Sequence, residues 1–152
     1  MSTKTARKTS FGYRFSMIHR LEVALVRDDL AEIGLTKAQV PFLMELFHED
    51  RAMTQQELSQ RLAIDPGATA RNLDHLEKNG WIHRKVNPEN RRQKLVSPTQ
   101  KAREHESRLI TILTRASQAL VENFSESEKT EVLALLDRII DNARAAGAKK
   151  EK

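Results

Sequence analysis

Three short groups of residues carry side chains whose types and spacing suit binding to a polyanion and reading of base edges. Pro66, Gly67, Ala68, Arg71, Asn72 and His75 fall at helical spacing on one side of a segment whose other side holds Thr69, Ala70, Leu73 and Leu76. On the outward side, Arg71 can offer two donors to a guanine edge and Asn72 can pair with adenine, while the small Gly67 and Ala68 let the backbone approach closely. Asn90, Arg91 and Arg92 lie at the tip of a turn, where an arginine can enter a narrow groove of strong negative potential. Thr54, Gln55 and Gln56 offer hydroxyl, amide and backbone donors at a helix start, a good seat for a phosphate. Each group alone also describes an ordinary solvated surface. Their order and spacing make them mutually supporting.

Such groups need elements to hold them, and the punctuation of the sequence predicts those elements. Phe11, Phe15, Ile18, Leu21, Ala24, Leu25 and Ile33 predict one long amphipathic helix from Ser10 to Ile33, ending at Gly34. Thr36-Lys37-Ala38-Gln39 reads as a capping box with Leu35 and Val40 as its hydrophobic staple, predicting a helix from Lys37 to about His48 with Pro41 in or near its first turn. Thr54-Gln55-Gln56-Glu57 is a second box, opening a short helix to about Leu62. Asp65 as cap and Pro66 as first residue start the next helix, which runs to Asn79 and stops at Gly80. Two helices joined by so short a turn form a helix-turn-helix.

Trp81 to Val86 and Gln93 to Ser97 read as two strands around the turn Asn87-Pro88-Glu89-Asn90, a hairpin with a basic tip. A long helix follows to about Asn123, capped either by Ser97 with Pro98 first, or by Thr99. Ser125-Glu126-Ser127-Glu128 is a further capping box, opening a last helix to about Ala145. In that helix Val132, Leu133, Leu135, Leu136, Ile139, Ile140 and Ala143 fall within an arc of about 160°. So wide an apolar face, with the first helix and the apolar side of the Leu109 to Phe124 segment, is expected to be covered by a second subunit.

Composition bounds the function. A chain of 152 residues supports one domain with a real core. No apolar run approaches a membrane span, and the first ten residues lack the apolar stretch of a secretory signal, so the expected address is the cytoplasm. With 0 cysteines there is no disulfide framework, thiolate metal site or thiol sensor. Pro66 to Lys94 carries seven Lys/Arg against three acids, +4 of the chain's net +5. A basic segment in an otherwise balanced chain points to a polyanionic partner, because neutralising phosphates releases counterions.

The stretch MTQQELSQRLAIDPGATARNLDHLEKNGWIHRKVNPENRRQKLVSPTQKA, Met53 to Ala102, resembles the MarR family of bacterial regulators, and the flanking helices are placed as that family places them. The resemblance implies a mainly α, triangular winged helix-turn-helix dimer of about six helices with a two- to three-stranded hairpin sheet. It implies a single domain over residues 1–152, with a DNA-binding lobe at 36–98 and a helical dimerisation region at 10–34 and 98–146. It also implies a sequence-specific regulator of double-stranded DNA on a pseudo-palindromic operator, a repressor released by a small ligand, with no cofactor. Pro66 to Asn79 becomes the recognition helix and Arg92 the wing arginine. The chain departs from the family at two places. Asn90 stands where the family has an aspartate two residues before the wing arginine, so its amide is expected to hold the Arg92 guanidinium less firmly. Pro98-Thr99 replaces a Leu-Thr pair.

A ligand pocket is expected where the dimer helices meet the DNA-binding lobe, with Tyr13, Phe15, His19, Arg20, Phe42 and Leu46 as candidates for an aromatic carboxylate; Phe15 and Phe42 fit a core role equally. A metal-responsive regulator would draw on His48, Glu49, Asp50, Glu104, His105 and Glu106, and a ligand-independent one on none of these. Catalysis is the reading with least behind it, since no phosphate loop, nucleophile elbow or paired-histidine motif occurs.

Overall fold

The computed structural model describes residues 3–149. Those residues form seven helices and one three-stranded antiparallel sheet. The long helix expected from Ser10 is α2 (Phe11–Glu32). Its cap is Ser10, whose Oγ accepts the Tyr13 N–H at 3.0 Å. A short helix not foreseen, α1 (Thr3–Thr9), precedes it. Arg14 donates to the carbonyl of Lys8, an acceptor that the end of α1 leaves open, and to that of the cap Ser10. At the far end Gly34 takes φ +79°. The Leu35 N–H then reaches back to the Leu30 carbonyl, a left-handed stop that favours glycine.

Helix α3 (Val40–Glu49) begins three residues later than the capping box suggested. Half of the box forms, with the Gln39 side chain accepting the Thr36 N–H at 2.9 Å. The Gln39 N–H reaches Thr36 and the Val40 N–H reaches Lys37 instead of continuing an α pattern. Pro41 supplies the reason, since proline fits the first turn and lacks the N–H that a helix interior needs. Strand β1 (Met53–Thr54) then leads into α4 (Gln55–Leu62). Thr54 caps α4, accepting the Glu57 N–H at 3.1 Å, but the Glu57 carboxylate pairs with Arg51 rather than closing the box.

After α5 (Pro66–Lys78), strands β2 (Ile82–Val86) and β3 (Lys94–Pro98) form the hairpin. The sheet order is β1-β3-β2, with Met53 opposite Val96, and Val96 opposite Arg84. Pro98 closes β3, so Thr99 caps α6 (Gln100–Leu120), its Oγ1 accepting the Ala102 N–H at 3.2 Å while donating to the Gly80 carbonyl at 2.7 Å. The choice between Ser97 and Thr99 is thereby decided.

The core gathers Val26 and Leu30 of α2, Phe42, Leu43 and Leu46 of α3, Met53, Leu58, Leu73, Leu76, Trp81 and Val96, and Ala102, Leu109 and Ile112 of α6. Beside it Lys101 of α6 lies over the Trp81 ring, 4.7 Å from its centre, and donates to the Asn79 carbonyl. His105 meets the same ring edge-on at 5.2 Å. The described residues divide into two compact units after Ala116. The second holds the end of α6 and α7 (Glu126–Ala148), whose capping box at Ser125 and Glu128 is complete. No residue of α7 is buried, and Leu133, Leu135, Leu136 and Ile140 are exposed.

Candidate nucleic-acid interface

Helix α5 owes its position to both ends. At its start Asp65 Oδ1 accepts the N–H groups of Gly67 at 2.7 Å and Ala68 at 3.2 Å, and Pro66 occupies the first turn, where no N–H is required. The preceding turn is tight: Ala63 adopts φ +52°, the Ile64 N–H reaches the Ser59 carbonyl, and Ser59 Oγ donates to the Ile64 carbonyl at 2.6 Å. At its end Gly80, with φ +75°, lets the Trp81 N–H return to the Leu76 carbonyl.

Thr69, Leu73 and Leu76 are fully buried, which turns Gly67, Arg71 and His75 outward. A methyl group on Gly67 would come within 3.1 Å of Asp65 Oδ1 and 3.4 Å of Arg71 Nη1. Arg71 therefore lies back along the start of the helix, close against the Gly67 position. Ala68 and Asn72 are half-buried, and the Asn72 amide donates to the Ala68 carbonyl at 2.9 Å.

The hairpin brings Arg92 of the second residue group beside the third. Arg92, Gln93 and Lys94 face Thr54, Gln55 and Gln56 across an open groove of about 430 Å³, with Arg84 among its walls. Arg91, Arg92 and Asn90 are exposed at the tip. Asn90 does not hold the Arg92 guanidinium as expected; its Oδ1 accepts the backbone N–H of Arg92 at 3.1 Å, a local turn bond open to a short amide.

Arg84, Gln93 and Lys94 were not anticipated. The signal for Arg84 was present, because period-two alternation puts it on the same face of β2 as buried Ile82. Arg84 donates to Glu77 from Nε at 3.0 Å and Nη2 at 2.7 Å, and to Asp74 from Nη2 at 2.6 Å. Its backbone N–H also donates to Glu77 at 3.0 Å. The hydrogen bond from Arg84 holds the Glu77 carboxyl below the ordinary carboxylate range against the opposing effect of burial, and Lys94 adds to it.

A second cavity, of about 710 Å³, opens between α2 and the helix-turn-helix. His19, Val23, Arg27 and Ala31 line it from α2, Thr36, Lys37 and Ala38 from the segment before α3, Pro41 from the first turn of α3, and Ile64, Ala68 and Asn72 from the turn and α5. Lys37 is paired with the partly buried Glu22. Of the six ligand candidates only His19 lines this space. Phe42 and Leu46 are core residues, Arg20 lies about 100° round the helix from His19, and Tyr13 and Phe15 belong to turns beyond the cavity's end. The four-residue spacing of His19, Val23, Arg27 and Ala31 is the stripe that would have located it.

The acids weighed as metal ligands have other partners. Arg103 pairs with Asp50 at 2.7 Å and with Glu106, Glu49 with Arg61 and Arg51, and His105 packs on Trp81. Among the described residues no group of three or more His, Asp or Glu is arranged to hold a metal ion, and no helix is long and apolar enough to cross a membrane.

Three comparisons place this geometry among known proteins. The sequence model of the MarR family matches residues 35–94. The chain is 25% identical over 126 residues to the uncharacterized HTH-type transcriptional regulator YybA of Bacillus subtilis (strain 168), an alignment covering 83% of each protein. In three dimensions it is similar to a MarR transcriptional regulator from Methanosarcina mazei Go1, with 26% identity, a TM-score of 0.83 and coverage of 89% of this chain and 96% of that one. It is also similar to a MarR mutant from E. coli complexed with operator DNA, with 25% identity, a TM-score of 0.80 and coverage of 91% and 99%.

Proposed function

We propose, from the match of the MarR family model to residues 35–94 and the likeness to MarR regulators of known structure, that the chain is a MarR-type winged helix-turn-helix transcriptional regulator, a cytoplasmic, homodimeric repressor released from its operator by a small ligand. The single observation that carries the DNA-binding reading is the groove in which Arg92, Gln93 and Lys94 of the hairpin meet the α4 start, in a segment whose α5 leaves Arg71 and His75 exposed. In this reading α5 of each subunit enters a major groove, with Arg71 and His75 toward the base edges and Gly67 and Ala68 at close approach. Arg91 and Arg92 lie along the adjacent minor groove, and Thr54, Gln55 and Gln56 seat a backbone phosphate. Residues 10–34 and 98–146 supply the dimer contacts, which sets two half-sites about one helical turn apart. The activity is binding, with no catalytic step.

Release is assigned to the cavity beside α5. Ala68 and Asn72 form part of its wall, so an occupant touches the recognition helix itself. Apolar walls with His19 and Arg27 among the lining residues suit a small aromatic carboxylate. A ligand that favours one helix spacing over the other by about 1–3 kcal/mol gives a usable response.

Selection of bound fragments from genomic DNA with purified protein tests the first part. Enrichment of a pseudo-palindrome is the expected outcome; recovery without sequence preference would overturn it. Titrating that complex with aromatic carboxylates, with peroxide, and with zinc followed by chelator tests the second. Carboxylate release is expected, zinc release alone would favour metal control, and release by none would favour ligand-independent binding.

A further inference from the structure

We infer that Arg84 is a positioning residue that sets the angle of the hairpin against the recognition helix, and that Asp74 and Glu77 are its anchors. The inference rests on the DNA-binding reading above, which assigns Arg84 no role. Its basis is the ion pairs of Arg84 with Asp74 and Glu77, which join the hairpin to α5.

The hairpin is weakly supported by its own sheet. Strand β1 contributes two residues, which pair with Leu95 and Val96 alone. The outer pair of Val86 with Lys94, and the tip from Asn87 to Gln93, project beyond that third strand. A two-stranded ribbon is marginal in water and twists readily, so sheet pairing does not by itself fix where Arg91 and Arg92 point. Arg84 sits opposite Val96, one residue before Thr54, Leu95 and Lys85 make the last step where all three strands are present. From there its guanidinium reaches two carboxylates one helical turn apart on α5, while its backbone N–H is held by the same Glu77. A planar fork held at several points defines direction as well as distance, which a single point charge does not.

Charge gives a second reason for the arrangement. Asp74 and Glu77 lie on the helix proposed to enter a groove lined by phosphates, where unpaired carboxylates would repel the backbone. Arg84 offsets one of their two negative charges, and its own side chain is only 15% exposed. Lys94 faces Glu77 from the neighbouring strand and adds to the same balance.

The test uses the full-length protein and an operator obtained by selection with the wild type. Two duplexes share the selected core and differ only in A·T-rich or G·C-rich flanks, where the hairpin is placed. Binding of each is measured for wild type, Arg84→Lys, Arg84→Gln and Glu77→Ala, with thermal unfolding and circular dichroism recorded alongside. Arg84→Lys keeps the positive charge and loses the fork. Glu77→Ala removes an anchor from a partly exposed helix position and introduces a strong helix former. Base preference under α5 should persist while the wild-type flank preference, roughly tenfold per misread position, falls to about one in all three variants. A uniform loss of affinity with the flank ratio unchanged would make Arg84 a direct phosphate contact and overturn the inference, as would wild-type behaviour of Arg84→Lys. If Arg84→Gln unfolds, Glu77→Ala and Arg84→Lys still decide the matter. A wild type that enriches no sequence would sink the DNA-binding reading and this inference together; enrichment with unaltered flank ratios would sink this inference alone.

Discussion

Arg71 and Asn72 are neighbours in sequence whose side chains take different directions. Arg71 is exposed and lies over Gly67, while Asn72 returns its amide to the Ala68 carbonyl beside the cavity. Arg71→Ala should therefore cost about 1–3 kcal/mol in operator binding and relax one position in each half-site, read by binding to singly substituted operators. Asn72→Ala should alter the ligand concentration needed for release more than it alters base preference, measured on the same complexes. Periodicity located both residues on the outer side of α5, because it fixes the direction of Cβ. It did not reveal where the Asn72 amide points, since that depends on a bond to the carbonyl four residues earlier. Glu77 gives a titration with a definite sign. Its carboxyl is held below the ordinary value near 4.3, so its contribution is complete above that value and is lost as pH falls through the lowered folded-state value. The stability difference between wild type and Glu77→Gln should thus be level from neutral pH down to about 4.5 and shrink below it, as thermal unfolding at stepped pH will register.

At the scale of elements, helix starts were legible and their partners less so. The three capping boxes read from sequence form to different extents: complete at Ser125, half at Thr54 and half at Thr36. Competition explains the shortfall, with Arg51 taking the Glu57 carboxylate and Pro41 fixing where α3 can begin. Strand β1 escaped notice because a two-residue strand has no periodicity to read. The cavity residues were mostly missed because aromatic type guided the choice, whereas position along one stripe of α2 decides it. Glycine stops at 34 and 80 were plain, but the left-handed Ala63 in the helix-turn-helix was not, since alanine carries no mark of it. These two kinds of turn predict opposite outcomes. Gly80→Ala meets no atom within 4 Å, so its cost is the conformational one of about 1–2 kcal/mol. Ala63→Gly relieves the same strain and should raise stability by a few tenths to about 1 kcal/mol after glycine's own entropy is offset. Denaturant unfolding of the two variants gives both values.

For the whole molecule, the largest apolar surfaces left open are on α2 and α7. Phe11, Ile18, Leu21 and Leu25 of the one, and Leu133, Leu135 and Ile140 of the other, stand in contact with solvent in the single chain. In the dimer we propose, these faces are covered. Leu133→Asp with Ile140→Asp should then lower the sedimentation mass toward one chain and weaken operator binding steeply, while helical content is largely kept, because neither residue is buried within its own chain. A wild type that sediments as a folded monomer at micromolar concentration would remove the dimer from the proposal. The terminal helices were legible in outline, as amphipathic stripes, but a stripe states that cover is needed and not what supplies it. Trp81 offers a way to watch these equilibria without a label. It is the chain's single tryptophan, buried, with the Lys101 ammonium over its face and His105 at its edge, at the junction of α5, the hairpin and α6. Indole in such a dry setting emits at short wavelength, and nearby cations quench it. A shift of the hairpin or of the first turn of α6 changes its intensity, whereas unfolding moves its colour. Operator binding, ligand release and denaturation should therefore give distinguishable optical signals from one native side chain.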